Sequence, residues 1–242
     1  MDKDDIKQLI KICAKGVPVA DLGLDSLDFI SNSIQKRRLS RIKKFLRYLN
    51  FQFERLTPQQ IDNFSKLIHT SECEEVLSEY AESAMSTSCD LAIASTAILY
   101  AENSDNCLLS VDEEKIFPFG LHKIDRQLLD LFLAFMQMPK DLKRHCFADD
   151  ESLFCERLAV NPLTSDYFQH KGFDLESCFI LSDDLIRRRF LAKDPRSMPR
   201  AMGSSAHWEI AVGSTSISKK FSDIVKRATD LLELARERRL IE

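Results

Sequence analysis

Apolar side chains recur at alternating spacings of three and four residues between Leu39 and Phe53. This spacing places them on one stripe of an α-helix, as in the seam between two packed helices. Such a helix has to bury its stripe against another element. We therefore predict a helix from near Ser26 to about Leu56. Four residues of the stripe are interpreted as a self-association seam: Leu39, Ile42, Leu46 and Leu49.

The composition extends this helical prediction to most of the chain. Only 6 Gly and 7 Pro occur among 242 residues, and the hydrophobic and charged shares are 44% and 30%. These values are typical of an ordinary soluble protein that is rich in helix. The apolar stretch from Leu91 to Ala101 is too short to span a bilayer and predicts a buried helix. The predicted fold class is mainly α.

The seven cysteines show no CxxC pair, and no signal peptide is recognisable at the start of the sequence. An odd number of cysteines without such a motif favours reduced thiols. Together these features predict a cytoplasmic protein.

The second half of the chain changes its pattern. The stretch from Asn106 to Lys123, with Pro118 and Gly120, is interpreted as a connector. Three helical stretches are predicted after it, "IDRQLLDLFLAFMQ", "DDESLFCERLAV" and "LESCFILSDDLI". The best strand candidate is "SSAHWEIAVGS", and a final amphipathic helix follows "GSTSISKK", whose Ser and Thr residues predict a helix cap. We expect a helical domain over residues 1–118 and a second domain over residues 119–242.

Residues 121–235 resemble a winged-helix domain. In that family a helix ends in a phrase to which "LIRRRFLAK" is similar, a wing hairpin follows, and "STSISKKF" resembles the phrase that opens the last helix. Arg189 stands where the family usually has glycine, and Ser218 or Lys219 replaces a later glycine. The resemblance implies a winged-helix-like domain with a small β-hairpin. Winged helices contact proteins as well as DNA, so it does not settle function.

The whole layout also resembles uncharacterised bacterial helical proteins that carry a basic helix and end in a winged-helix-like segment. The phrase "RRLSRIKKF" is the part of this chain that carries that resemblance. It implies a bacterial-type protein and brings no activity with it.

Seven Lys or Arg residues fall between Lys36 and Arg47. They could pair with a glutamate-rich helix of the same chain, whose members are Glu72, Glu74, Glu75, Glu79 and Glu82, or form a solvated face. A nucleic-acid or anionic-partner contact is the alternative, with Lys36, Arg37, Arg41 and Lys44 as candidates. A membrane-surface helix fits less well, because the apolar stripe is narrow.

A second basic cluster begins at Arg187. Its candidates for phosphate contact are Arg187, Arg188, Lys193, Arg196 and Arg200. At a helix end, such residues also complement the helix dipole. The expected recognition helix carries Glu176, Asp183 and Asp184, which argue against reading of base edges. Double-stranded DNA would therefore be contacted through its backbone.

No nucleotide-binding, hydrolase or zinc motif occurs, and neither a metal nor a cofactor is predicted. The favoured function is a non-catalytic interaction or regulatory protein that binds a protein partner or itself. The alternatives are a DNA-binding regulator and a small enzyme or toxin component whose site carries no recognisable motif.

Overall fold

The structure is a computed structural model that describes residues 25–53, 71–106, 111–139, 141–142, 156–193 and 209–237. The chain divides into two compact units. One comprises Met1–Asp125 together with Ile224–Glu242 and is called the helical unit here. The other comprises Arg126–Asp223 and is called the sheet unit. The domain boundary that we expected at residue 118 stays a prediction.

The described residues of the helical unit form four helices before residue 126. They are α1 (Asp25–Phe53), α2 (Ser71–Ser86), α3 (Asp90–Asn106) and α4 (Val111–Leu121). The last helix of the chain, α8 (Ser216–Glu237), belongs to the sheet unit up to Asp223 and to the helical unit from Ile224. The predicted stripe helix is α1, and the predicted end near Leu56 lies outside the described residues.

Helix α3 is the centre of the helical unit, as its apolar sequence predicts. Every residue from Leu91 to Ala101 is buried. Its two polar members bond within the helix, because Ser95 Oγ donates to Leu91 O and Thr96 Oγ1 donates to Ala92 O, each at 2.8 Å. Helix α1 packs chiefly on α3. Tyr100 contacts Phe45 of α1 at a ring-centroid distance of 6.5 Å.

Residues 106–123 were interpreted as a connector, and this was wrong, because residues 111–121 form helix α4. The helix runs through Pro118 and Gly120, which the sequence reading took as breaks. Phe117 and Leu121 are completely buried, and Ser83 of α2 donates a hydrogen bond to Pro118 O at 3.0 Å. Burial of one face by α2 and α3 therefore outweighs the local cost of the proline.

The sheet unit starts with α5 (Arg126–Met136) and continues with β1 (Glu156–Val160), α6 (Ser165–His170) and α7 (Leu175–Arg187). Strands β2 (Ala192–Lys193) and β3 (Ile210–Ser214) follow, and α8 begins directly after them. The three strands form an antiparallel sheet in the order β1–β3–β2. Strand β3 pairs Val212 with both Leu158 and Lys193.

The structure also corrects the prediction of a helix over residues 149–160, because residues 156–160 form strand β1. Residues 156–160 pair along their whole length with β3, and Leu158, Ala159 and Val160 are buried. A segment this short does not form a stable helix by itself. Its hydrogen bonds to β3 and the burial of its side chains therefore determine its conformation. Residues 149–155 lie outside the described part of the chain.

A cluster of three phenylalanines forms the core of the sheet unit. Phe190 and Phe221 stack at 4.0 Å, and Phe132 lies 5.1 Å from Phe221, measured between ring centroids. The start of α8 is held by Thr215 and Ser218, whose backbone N–H groups donate to each other's hydroxyl oxygens at 2.9 and 3.2 Å. This reciprocal cap confirms the capping role predicted for "GSTSISKK".

The predicted fold class is confirmed in its main terms. The described residues form eight helices and one small antiparallel sheet near the C-terminal end of the chain. Helical spacing carried this prediction for α1 and α8, and an uninterrupted apolar run carried it for α3. The strand candidate around Val212 corresponds to β3.

Candidate functional site

Helix α7 is fixed at both ends by local sequence. Asp174 caps its start by accepting a hydrogen bond from Ser177 N at 2.7 Å, and the hydrogen bonds from Ser177 hold the pKa of this carboxyl below its usual range. At the other end Arg189 adopts a left-handed conformation. Phe190 N then donates to Leu185 O at 3.0 Å, which closes the helix as a Schellman turn.

One face of α7 packs inward, and another leaves large apolar side chains in solvent. Cys178, Ser182 and Leu185 are buried. Burial, with a contribution from the nearby Asp174 charge, raises the pKa of the Cys178 thiol to about 11, so this cysteine stays protonated. On the outside, Phe179 and Ile180 are 66% and 57% exposed.

A groove of about 740 Å³ lies between α7 and the β2–β3 strands. The apolar residues along it include Phe179, Ile180, Ile186, Ile210, Ala211 and Val212. Its charged residues are Asp183, Asp184, Arg187 and Lys193. The groove can therefore receive an apolar side chain that brings polar neighbours with it.

Two of the predicted cationic residues of this region are paired with aspartates of the same helix. Arg187 forms an ion pair with Asp183, and Arg188 Nε lies 3.1 Å from Asp184 Oδ2. Both pairs join residues one helical turn apart, so each aspartate offsets the charge of one of these two arginines. Lys193 is exposed at the groove. Arg196 and Arg200 lie outside the described residues.

The predicted seam of α1 is divided between core and solvent. Ile42 and Leu49 are 4% and 1% exposed, and Leu46 is half-buried. Leu39 is 46% exposed. Helix α1 packs on α3 and α2 of its own chain, so most of the seam is used inside the helical unit.

Some basic residues of α1 bond to neighbouring helices, and others are exposed. Lys44 Nζ lies 2.8 Å from Asp90 Oδ1 at the start of α3, and Arg41 Nη1 donates to Met85 O at the end of α2, also at 2.8 Å. Lys36 and Arg37 are exposed. Among the described side chains, the internal pairing thus includes Asp90 of α3, which the sequence did not predict. Of the glutamates of α2, Glu79 and Glu82 are exposed, and the side chains of Glu72, Glu74 and Glu75 lie outside the described part.

The sequence analysis did not single out Phe179 and Ile180, the exposed apolar residues beside the groove. Both fall in the stretch predicted as the recognition helix. The available signal was their position on the helix: Cys178, Ser182 and Leu185 define one inward stripe, and Ile180 falls on the opposite side with Glu176 and Asp183. An apolar residue among the charged residues of an amphipathic helix is a candidate for a contact surface when other apolar side chains are exposed beside it.

Comparison with protein-family models, curated proteins and solved structures found no match to this chain. Across the described ranges, no helix has the length and apolar character needed to cross a bilayer. Three or more His, Cys, Asp or Glu side chains do not converge anywhere in that same part of the chain.

Proposed function

We propose that this protein is a non-catalytic interaction module that acts through protein contacts made by α7, and that a second copy of the chain binds there. The exposed Phe179 and Ile180 beside the groove carry this proposal. Apolar side chains of this size that remain in solvent next to a concave surface favour a protein contact.

The charges of α7 support a second copy as the partner. Glu176, Ile180, Asp183 and Arg187 follow one another at spacings of four, three and four residues, so they share one face of the helix. All four are exposed. The face therefore carries an acid at its N-terminal end, an apolar side chain and a second acid near its middle, and a base at its C-terminal end that pairs with the second acid.

This order is self-complementary in a two-fold symmetric contact. When two copies of α7 lie antiparallel and cross midway between positions 181 and 182, Glu176 of each copy is level with Arg187 of the other. Ile180 of each copy then lies near the centre of the contact. An isologous interface requires such a self-complementary patch, and most soluble homo-oligomers use one.

The element order of the sheet unit supports a winged-helix-like architecture for this module. A β2–β3 hairpin follows the third helix of the unit, and α8 begins directly after β3, as the sequence resemblance implies. In this reading α7 occupies the recognition-helix position and binds protein.

The rival DNA-binding function has weaker support from the charges. Arg187 and Arg188 are paired with Asp183 and Asp184, and Glu176 adds a further carboxylate to the exposed surface of α7. Phosphates approaching this helix would meet carboxylates along with the arginines, which lowers the attraction.

Sedimentation velocity tests the self-association. We expect the unaltered chain to form a dimer at micromolar concentration and Phe179→Glu to remain a monomer. Leu163→Glu is the matched control, because Leu163 is 76% exposed in the same unit and does not line the groove. A monomeric unaltered chain, or a Phe179→Glu chain that still dimerises, would contradict the proposal.

Fluorescence anisotropy of a labelled random-sequence duplex tests the rival function on the same proteins. We expect no tight binding at low salt. Binding that collapses with added salt and with Lys193→Glu would establish a backbone contact with DNA and displace the protein-contact proposal.

A further inference from the structure

The helical unit contains a second concave site, and its character is cationic. It holds about 440 Å³ and lies among α1, the end of α2 and the turn after α4. The side chains around it are Ile34, Arg37, Arg38, Arg41, Glu82, Met85, Ser86, His122 and Lys123. Of its basic residues, Arg38, His122 and Lys123 were not among the predicted contact residues.

Hydrogen bonds from three hydroxyl groups build one wall of this pocket. Lys123 N donates to Ser86 Oγ at 2.9 Å, and Ser86 Oγ donates to Ser83 O at 2.6 Å. Thr87 Oγ1 donates to Ile124 O, and Ser83 Oγ donates to Pro118 O. The end of α2 is thereby tied to the end of α4. A wall fixed in this way places Lys123 without further ordering when a ligand binds.

Helical geometry gathers three arginines on the opposite wall. Arg41 lies four residues after Arg37 and three after Arg38, so all three project toward one side of α1. Arg41 is held in place by its bond to Met85 O, while Arg37 and Arg38 are exposed. The pocket thus has one anchored guanidinium and two that can turn toward a ligand.

The charge balance of the pocket is strongly positive. Among the described residues that line it, Arg37, Arg38, Arg41 and Lys123 face one carboxylate, Glu82, which gives a balance of three positive charges with His122 counted as neutral. The hydrogen bond to Met85 O gives Arg41 a structural role at the end of α2. Arg37, Arg38 and Lys123 remain close together around the same concave site. Like charges gathered in this way destabilise the free protein, and an anion relieves the repulsion.

We propose that this pocket binds the phosphate group of a small soluble ligand. Guanidinium groups donate two parallel hydrogen bonds to phosphate oxygens, and a lysine adds a point charge. The concave shape favours a compact ligand over the long flat surface of a duplex. The site is formed by the helical unit alone, so it is independent of the contact proposed for α7.

Isothermal titration of the full chain with inorganic pyrophosphate at constant ionic strength tests the proposal. Lys123→Gly is the sharpest variant, because Lys123 has a φ of 53° that glycine adopts freely, so the turn is retained while the charge is removed. We expect its Kd to rise about tenfold, and that of Arg38→Glu to rise on the order of a hundredfold.

Lys43→Glu is the matched control. Lys43 is exposed on α1 but does not line the pocket, so this reversal changes the net charge as Arg38→Glu does and is expected to leave the Kd within about twofold. Absence of pyrophosphate binding to the unaltered chain would overturn the proposal. Equal weakening by Lys43→Glu and Arg38→Glu would also overturn it, as would binding of a random duplex in place of pyrophosphate.

Discussion

Arg189 ends helix α7 with a φ of 64°, a left-handed conformation that costs a side chain about 1 kcal/mol relative to glycine. The winged-helix resemblance places a glycine here, and the backbone conformation gives the physical reason. We predict that Arg189→Gly stabilises the protein by about 1 kcal/mol, measured as a higher urea midpoint with an unchanged slope.

Gly172 provides the reciprocal control for this prediction. Its φ is 89°, and a Cβ built there meets no atom within 4 Å. Gly172→Ala is therefore expected to lose about 1 kcal/mol through backbone strain alone. A lower urea midpoint for Arg189→Gly would show that its side chain stabilises the turn by more than the conformation costs.

Tyr48 has a buried hydroxyl without a hydrogen-bond partner among the described residues. Burial, assisted by the charge of Asp90, raises the pKa of Tyr48 to about 12. In the folded state this pKa lies above its ordinary value of 10. The contribution of Tyr48 to the free energy of unfolding is therefore fully present below pH 10 and is lost as the pH rises through about 12. We predict that Tyr48→Phe removes about 2 to 3 kcal/mol of this alkaline loss in unfolding experiments.

Tyr167→Phe is the control for the tyrosine prediction. The Tyr167 hydroxyl donates to Ala134 O at 2.9 Å, so its removal is expected to cost about 1 kcal/mol at neutral pH. Tyr48→Phe is expected to be nearly neutral there. Identical alkaline profiles for the unaltered chain and Tyr48→Phe would contradict the assignment of this titration to Tyr48.

Helix α1 is the element in which core and solvent are most clearly separated. Phe45 is completely buried against α3, whereas Leu39 is 46% exposed. We predict that Phe45→Ala costs about 3 to 5 kcal/mol of unfolding free energy and that Leu39→Ala changes it by less than about 0.5 kcal/mol. Chemical denaturation of both variants measures the difference. Comparable losses would show that Leu39 is covered in solution.

Elements with a strong helical period were predictable, and two others were not. Helices α1 and α8 have long apolar stripes, and α3 contains a continuous apolar run, so their conformation is indicated without tertiary information. Helix α4 contains Pro118 and Gly120, and its burial alone keeps it helical. Strand β1 depends on pairing with β3, whose residues come about fifty positions later in the sequence.

For the candidate sites, the sequence predicted the charge and the type of the residues on one helix, but not the other segments that complete each site. The sequence shows that Arg37 and Arg41 share a helix face with Arg38, but not that α2 and α4 bring Glu82 and Lys123 opposite them. It also shows the acids of α7 without the groove beside them. Both sites combine segments distant in sequence, so a helical projection of one segment identifies half of each site.

For the whole molecule, the structure separates two kinds of surface. The sheet unit presents an apolar groove with balanced charges, and the helical unit presents a concave cationic pocket. We propose a different partner for each: a second copy of the chain at α7, and a phosphate group among the arginines of α1. Since each lies within one unit, variants of one site are expected to leave the other unchanged.

The measurement that tests the central claim most directly is sedimentation velocity of a charge-reversal series on α7. Glu176→Arg and Arg187→Glu are each expected to weaken the dimer, because each brings like charges together across the two-fold axis. The double variant Glu176→Arg/Arg187→Glu is expected to restore the dimer. Recovery in the double variant alone supports an antiparallel contact between two α7 helices. Additive weakening in the double variant, or no dimer in any of the four proteins, would contradict it.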